Sequence, residues 1–240
     1  MNFANVKSIT IPEGPVAKIL RGVEVLWEKV PGRIPSEYQE VEWISGHSKT
    51  QTSGAYLDLG FSFDTAATIY ITFEDAQNVS GYLFGAAESS GKYRCMITIN
   101  DANIMVYGCS GSSYGSIGAP YPGFGKDIQI KYKLKDKELS VKNLDTGETH
   151  KTSNNVTFTM TNHLYLFAQN YNGNVRCGGT QIQNNTKLKL FQYYDKNGDL
   201  ICDLIPCYRK SDGVVGAYDT ARKIFLSSVG NYELDKGADV

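Results

Sequence analysis

The run Lys187-Leu188-Lys189-Leu190-Phe191-Gln192-Tyr193-Tyr194-Asp195-Lys196-Asn197-Gly198-Asp199-Leu200-Ile201-Cys202-Asp203-Leu204-Ile205-Pro206 decides how this chain folds. Leu188, Leu190 and Phe191 mark one strand, Leu200 to Pro206 mark a second, and an Asn197-Gly198 step lies between them. Both residues tolerate the positive φ of a tight primed turn, so Asn-Gly between apolar-rich runs predicts a hairpin. Cys207 to Asp219 continues with further turns and short strands, and Lys223–Leu226 reads as a closing strand.

Outward from this hairpin, period-two alternation dominates. From Ala67 to Phe73 the odd positions are apolar and the even ones are Thr or Tyr. From Asp127 to Leu134 the even positions are apolar and the odd ones charged or polar. Ala55, Leu57, Leu59 and Phe61 repeat the pattern, with Tyr56 and Asp58 predicted outward. Such alternation buries one face of a strand and wets the other, as in antiparallel sandwiches. Further strands are predicted at Met96–Ile99, Ile104–Tyr107, Glu138–Val141, Val156–Met160 and His163–Ala168. Turns are predicted at Asp136-Lys137, Asp145-Thr146-Gly147 and Asn172-Gly173-Asn174. No segment carries a sustained helical period. The predicted class is all-β, a two-sheet antiparallel sandwich.

The amino-terminal residues 1–30 read as a separate short β unit. Val6–Ile11 and Val16–Leu20 flank the turn Pro12-Glu13-Gly14-Pro15, and Val23–Trp27 forms a third strand. Residues 31–35 contain two prolines and a glycine and read as a linker, leaving 36–240 for the sandwich. Three short strands bury little core alone, so the unit needs a partner: the sandwich, its own copies or a neighbouring protein.

Leu188–Leu226, the Leu26-Trp27-Glu28 step and Pro35-Ser36-Glu37-Tyr38-Gln39-Glu40-Val41-Glu42-Trp43-Ile44 together resemble a known family. It is that of the concanavalin A-like, laminin-G-like domains (jelly rolls) of bacteriophage and prophage tail proteins. The resemblance extends from about Val6 to Leu226 and departs from the family at Ser45–Gly54, which is longer and polar here. It implies a non-enzymatic tail protein that recognises a bacterial surface glycan or receptor. It also implies attachment to other virion proteins and a homo-oligomer, specifically a trimer. Localisation would be the virion, after synthesis in the bacterial cytoplasm.

Composition narrows the field. The formal net charge of −1 lacks the basic excess of a nucleic-acid binder. No apolar run approaches the ~20 residues that span a bilayer, so no membrane insertion is expected. The first residues, Met1 to Lys7, lack the apolar segment of a signal peptide. Cys95, Cys109, Cys177, Cys202 and Cys207 are odd in number and irregular in spacing, which favours reduced thiols. Cys202 alternates with Leu200 and Leu204 and reads as a small core residue.

The residues that carry chemistry are sparse. His47, His150 and His163 sit in no nucleophile motif. Asp145-Thr146-Gly147 is a hairpin turn despite its likeness to an aspartic-protease triplet. A glycosidase would need paired carboxylates roughly 5–9.5 Å apart. Glu37, Glu40 and Glu42 are the only dense acidic cluster, with Glu40 and Glu42 on one strand face. Solvated edge charges explain them better, and no catalytic residue is expected. Asp195–Asp199 is not an EF-hand loop, because Pro206 stands where the bidentate Glu belongs. No cofactor is expected; calcium, held as in laminin-G domains, is the one metal left open.

Two segments carry a recognition composition. Gly108–Gly125 is rich in Gly, Ser and aromatics and reads as one long loop, and loops of such length are often functional. Gln169–Asn174 is a second aromatic-amide group, following the His163–Ala168 strand. Tyr supplies rigid amphipathic contact area while Ser, Gly and Asn adapt. The candidate ligand-binding residues are Tyr107, Tyr114, Tyr121, Phe124, Asn170, Tyr171 and Asn172. Against glycan binding stand two other readings: a structural decoration or assembly module whose tyrosines lie in protein contacts, and a glycoside hydrolase or lyase using Glu40 and Glu42.

Overall fold

The computed structural model of the 240-residue chain describes residues 10–11, 14–15, 18–21, 24–28, 33–46, 48–50, 52–62, 66–75, 81–88, 94–100, 103–110, 113–120, 122, 125–153, 161–177, 186–230 and 232–240. The predicted Val156–Met160 strand, Tyr121, Phe124 and His47 lie outside them. The chain divides into two compact units, Met1–Ser36 and Glu37–Val240. In the first, Thr10–Ile11 pairs with Gly14–Pro15, and Lys18–Arg21 pairs with Glu24–Glu28, all antiparallel. Four short strands in two hairpins therefore replace the three expected, because Gly14–Pro15 extends and pairs instead of serving only as a turn.

The second unit is a two-sheet antiparallel sandwich with no helix among the described residues. The first sheet runs in the order Thr149–Ser153, Glu138–Asn143, Asp127–Lys133, Thr68–Asp75, Thr186–Tyr194, Leu200–Arg209, Val215–Asp219, Ile224–Ser227. The second runs Ser113–Pro120, Asn103–Ser110, Arg94–Asn100, Gly81–Ala87, Tyr165–Leu166, Leu57–Asp58. Ile69, Ile71, Phe73, Ile128, Ile130, Tyr132, Phe191 and Tyr193 of the first sheet are buried against Phe84, Ile97, Ile104 and Val106 of the second. The Phe84 and Phe191 rings meet edge-on between the sheets, centroids 6.1 Å apart. Burying a side chain of this size stabilises by about 1.5–3 kcal/mol.

Local chemistry explains where the strands depart from simple alternation. Leu188 and Phe191 both face the core although only two residues lie between them, because the register with Thr68–Asp75 shifts between Thr72 and Phe73. This bulge turns Leu190 outward. Pro206 cannot donate to a ladder. It sits where its strand leaves the Thr186–Tyr194 partner and takes up Tyr38–Glu40, its carbonyl accepting the Val41 N–H at 3.0 Å.

Several sequence expectations need correction. At Asn197-Gly198 only Gly198 takes positive φ (87°). The Asp195 carboxylate accepts the N–H groups of Asn197 and Asp199 at 2.8 and 2.9 Å, so the connection starts early and is not a two-residue primed turn. Gly108–Gly125 is not one loop: Asn103–Ser110 and Ser113–Pro120 pair in register, because its small residues permit extended backbone. His163–Ala168 is not a continuous strand. Only Tyr165–Leu166 pairs, and buried Phe167 (φ 67°) reverses the chain so that Gln169–Tyr171 runs parallel to Gly81–Ala87. Tyr56, expected to be exposed on the outer face, is buried against Tyr165, ring centroids 4.7 Å apart. The carboxy-terminal residues, which carry no alternation, close the sheet beside Glu40–Ser45 through Lys236↔Ile44 and Glu42 N–H to the Ala238 carbonyl. Gly237 is required there, since a Cβ would lie 2.6 Å from the Trp43 indole nitrogen.

One polar cluster ties the two sheets together. Asp219 is fully buried on the core side of its strand, opposite Leu204. Its carboxylate accepts the N–H groups of Asp203, Ala221 and Arg222 at 3.2, 3.0 and 3.1 Å, and the Arg222 Nε. Arg222 then donates through Nη1 to the carbonyl of Leu59, which follows the Leu57–Asp58 strand of the second sheet. Burial alone would raise the Asp219 carboxyl, but Arg222 and the backbone donors outweigh it and hold it below the usual carboxylate range. A carboxyl that titrates lower when folded contributes fully above its unfolded value near ~3.9 and loses that contribution as pH falls through the folded value. Asp219→Asn is expected to cost about 3 kcal/mol, lowering the melting temperature by roughly 6–12 °C. Urea titrations should also show a shallower loss of stability below pH ~4 in the variant than in the wild type.

Candidate functional site

The second sheet brings distant parts of the chain into one transverse row. Tyr171 pairs with Ala87, Ala87 with Arg94, Arg94 with Cys109, and Cys109 with Tyr114. Four interstrand spacings of ~4.8 Å put the Tyr171 and Tyr114 backbones about 19 Å apart at one end of the sheet. Tyr107 lies close by along its strand, paired with Met96 and Ser116. The Gln169–Asn174 segment and the Tyr114 part of the Gly108–Gly125 segment therefore reach the same end. Pro120, at the close of the Ser113–Pro120 strand, pairs with Asn103 at the opposite end.

The Gln169–Arg176 hairpin is the best-defined part of this end. Asn172 (φ 51°) and Gly173 (φ 83°) are both left-handed, so this Asn-Gly step does form the two-residue primed turn. Asn170 and Val175 pair and point inward, Asn170 being 5% exposed. The Asn170 side chain donates to the His163 carbonyl at 2.9 Å and accepts the Gly173 N–H at 2.8 Å. Asn170 is therefore a brace, not a contact residue. The Asn172 N–H and the Asn162 side chain both donate to the Ala87 carbonyl, at 2.9 and 2.8 Å, fastening hairpin and preceding segment to the end of the Gly81–Ala87 strand.

On the outer face Tyr171 and Arg176 are diagonal neighbours, and the guanidinium stacks on the ring with its carbon 3.4 Å from the centroid. Asn172 is exposed beside them. Below the hairpin His163 lies 3.3 Å from Asp58, whose carboxylate also accepts the Gly60 N–H at 2.8 Å. Tyr165 lies beneath them, its hydroxyl pushed up to about 12 by burial and then by Tyr56 and Asp58. Thr161 donates to Glu88 at 3.4 Å. The sequence reading missed Arg176, Asn162 and Asp58. Arg176 was accessible in principle: once Asn172-Gly173 is a two-residue turn, Tyr171 must pair with Asn174 and Arg176 must fall on its diagonal.

The remaining chemical candidates disperse. Glu40 and Glu42 flank buried Val41 and so share the outward face, as expected, with Glu42 exposed and Glu37 exposed at the start of the strand. His150 lies 3.2 Å from Glu148 in the hairpin whose turn is Asp145-Thr146-Gly147, capped by the Asn143 side chain. Cys177, Cys202 and Cys207 are free and buried. Burial pushes the Cys177 thiol to about 11 and Cys207 to about 12, and raises Cys202 further with help from Asp219. Thiols so shifted are poor nucleophiles at neutral pH. No cluster of three metal-ligating side chains occurs among the described residues.

No protein-family model and no curated protein matches the sequence. Solved structures do match. A Bacteroides ovatus protein provisionally described as carbohydrate-binding superposes with a TM-score of 0.50 at 11% identity, over 84% of this chain and 62% of that one. Domains LG4-5 of the mouse laminin alpha1 chain give 0.46 at 11% identity, over 85% of this chain and 47% of theirs. The full-length tailspike protein 2 of Escherichia coli O157:H7 bacteriophage CAB120 gives 0.43 at 11% identity, over 75% of this chain and 31% of that one. The chain thus spans between about a third and just under two thirds of these proteins. The Bacteroides ovatus superposition agrees with the sheet topology on the fold, a two-sheet antiparallel β-sandwich.

The brace on the hairpin is testable by itself. Asn170→Ala removes both anchoring bonds from a buried position and is expected to cost about 1–2 kcal/mol. Hydrogen exchange should accelerate at Tyr171–Arg176 with the core strands unchanged; unaltered exchange there would show that the hairpin holds its shape without Asn170.

Proposed function

We propose that this chain is a non-enzymatic, tail-associated protein of a bacteriophage or prophage. Its β-sandwich binds a bacterial surface glycan through the Ala87 end of the second sheet. The observation that carries the proposal is the row from Tyr171 to Tyr114, which brings the aromatic-amide hairpin and the Tyr114 end of the Gly-, Ser- and aromatic-rich segment to one sheet end. Sugar rings offer apolar C–H faces to aromatic rings, while their hydroxyls suit amides; a tyrosine surrounded by Asn and Gly meets both needs. The hairpin is pre-organised by Asn170 and the Ala87 carbonyl, so little ordering entropy is lost on binding. The phage setting rests on the sequence resemblance of the closing strands and the amino-terminal unit. The same resemblance supports display on the virion as a homo-oligomer, where several weak sites gain avidity without new contacts.

A glycan array of bacterial surface polysaccharides, probed with the whole chain, tests this reading. Binding is expected, and Tyr114→Ala and Tyr171→Ala are each expected to weaken it roughly ten- to hundredfold, the loss typical of a buried aromatic anchor. Silence across the array, or binding untouched by both substitutions, would contradict it. Loss of oligomerisation in the same variants would favour the assembly-module reading instead.

A further inference from the structure

We infer that the glycan taken at this end is anionic, its carboxylate or phosphate held by Arg176. The inference rests on the glycan-binding reading above and goes beyond it by naming the ligand's charge. Arg176 is exposed, and its guanidinium carbon lies over the Tyr171 ring, 3.4 Å from the centroid, a contact that restricts the side chain. A guanidinium stacked by its face keeps its edge, with the N–H fork, free to point at a ligand. That fork matches the paired oxygens of a carboxylate or phosphate, which a single lysine charge cannot match in direction.

The charge around it agrees. Gln169 to Arg176 contains no acidic residue. The transverse row Tyr171, Ala87, Arg94, Cys109, Tyr114 holds no acid either and adds a second arginine position. Of the nearby carboxylates, Asp58 is engaged by His163 and the Gly60 N–H, and Glu88 accepts from Thr161. No ion pair to Arg176 occurs among the described residues. An arginine with an aromatic backing and no carboxylate partner among the described residues, on a braced hairpin, is arranged to receive an anion.

The test sorts the polysaccharides of the same array by charge and measures Kd for the strongest binder. Where that binder carries uronic acids, it is compared with its carboxyl-reduced form; where it carries phosphodiesters, it is compared with a neutral glycan of the same backbone. Binders are expected to be anionic, and neutralising the ligand should weaken binding at least tenfold. Arg176→Gln should weaken the anionic ligand by a similar factor and the neutral form by much less, with little change in melting temperature because the side chain is exposed. Arg176→Lys should recover only part of the loss, because it lacks the fork. Preference for neutral glycans, or equal binding after carboxyl reduction, would overturn the anionic assignment while leaving the glycan reading intact. Absence of any binder would overturn both.

Discussion

The buried Asp219 carboxylate is the constraint on which the sandwich depends. It gathers backbone N–H groups from the Leu200–Arg209 strand and from the turn that follows Val215–Asp219, and it fixes the Arg222 side chain, whose Nη1 donates to the Leu59 carbonyl beside the second sheet. Aliphatic packing holds two sheets together without specifying how they slide over one another. A directed bond from one sheet to the backbone of the other sets that registration. Leu59 immediately follows the Leu57–Asp58 strand, which pairs with Tyr165–Leu166, which pairs with the Gly81–Ala87 strand. The clamp is therefore two strands from the Gly81–Ala87 strand, whose Ala87 carbonyl fastens the recognition hairpin. Stability and site geometry share one scaffold.

At the other end of that path the backbone does something unusual. Phe167 is buried in a left-handed conformation, which costs a bulky residue of order 1–3 kcal/mol. The cost is offset by what the reversal permits: Tyr165–Leu166 completes the sheet while Gln169–Tyr171 turns back to lie parallel to Gly81–Ala87. A straight strand from His163 to Ala168 would carry the following hairpin away from the sheet end. The reversal brings Tyr171 alongside Ala87, and Asn170 locks the result by bonding both His163 and Gly173.

Much of this was legible in the sequence, for physical reasons that particular residues show. Ile69, Ile71 and Phe73, and Ile128, Ile130 and Tyr132, alternate without exception, and each set lies buried on one face. The turn at Asn172-Gly173 needed only the tolerance of those residues for positive φ. The turn at Asn197-Gly198 misled because Asp195 competes for the same backbone donors, an interaction set by a neighbour and not by the turn pair. Gly108–Gly125 misled because Gly and Ser carry no hydrophobic periodicity, although in a sheet they pair like any other residue. Asp219 and Arg222 looked like ordinary turn residues. Burial of a carboxylate follows from the approach of a second sheet some 160 positions earlier in the chain, which no local pattern announces. The transverse row is illegible for the same reason, being a product of registers across several strands.

The site depends on Tyr114 and Tyr171 standing at the same end of one sheet. Spin labels placed at these two positions, read by pulsed electron paramagnetic resonance, measure it directly. Four interstrand spacings predict a distribution centred near 20 Å. A separation beyond about 30 Å would place the two positions at opposite ends of the sheet and contradict the account.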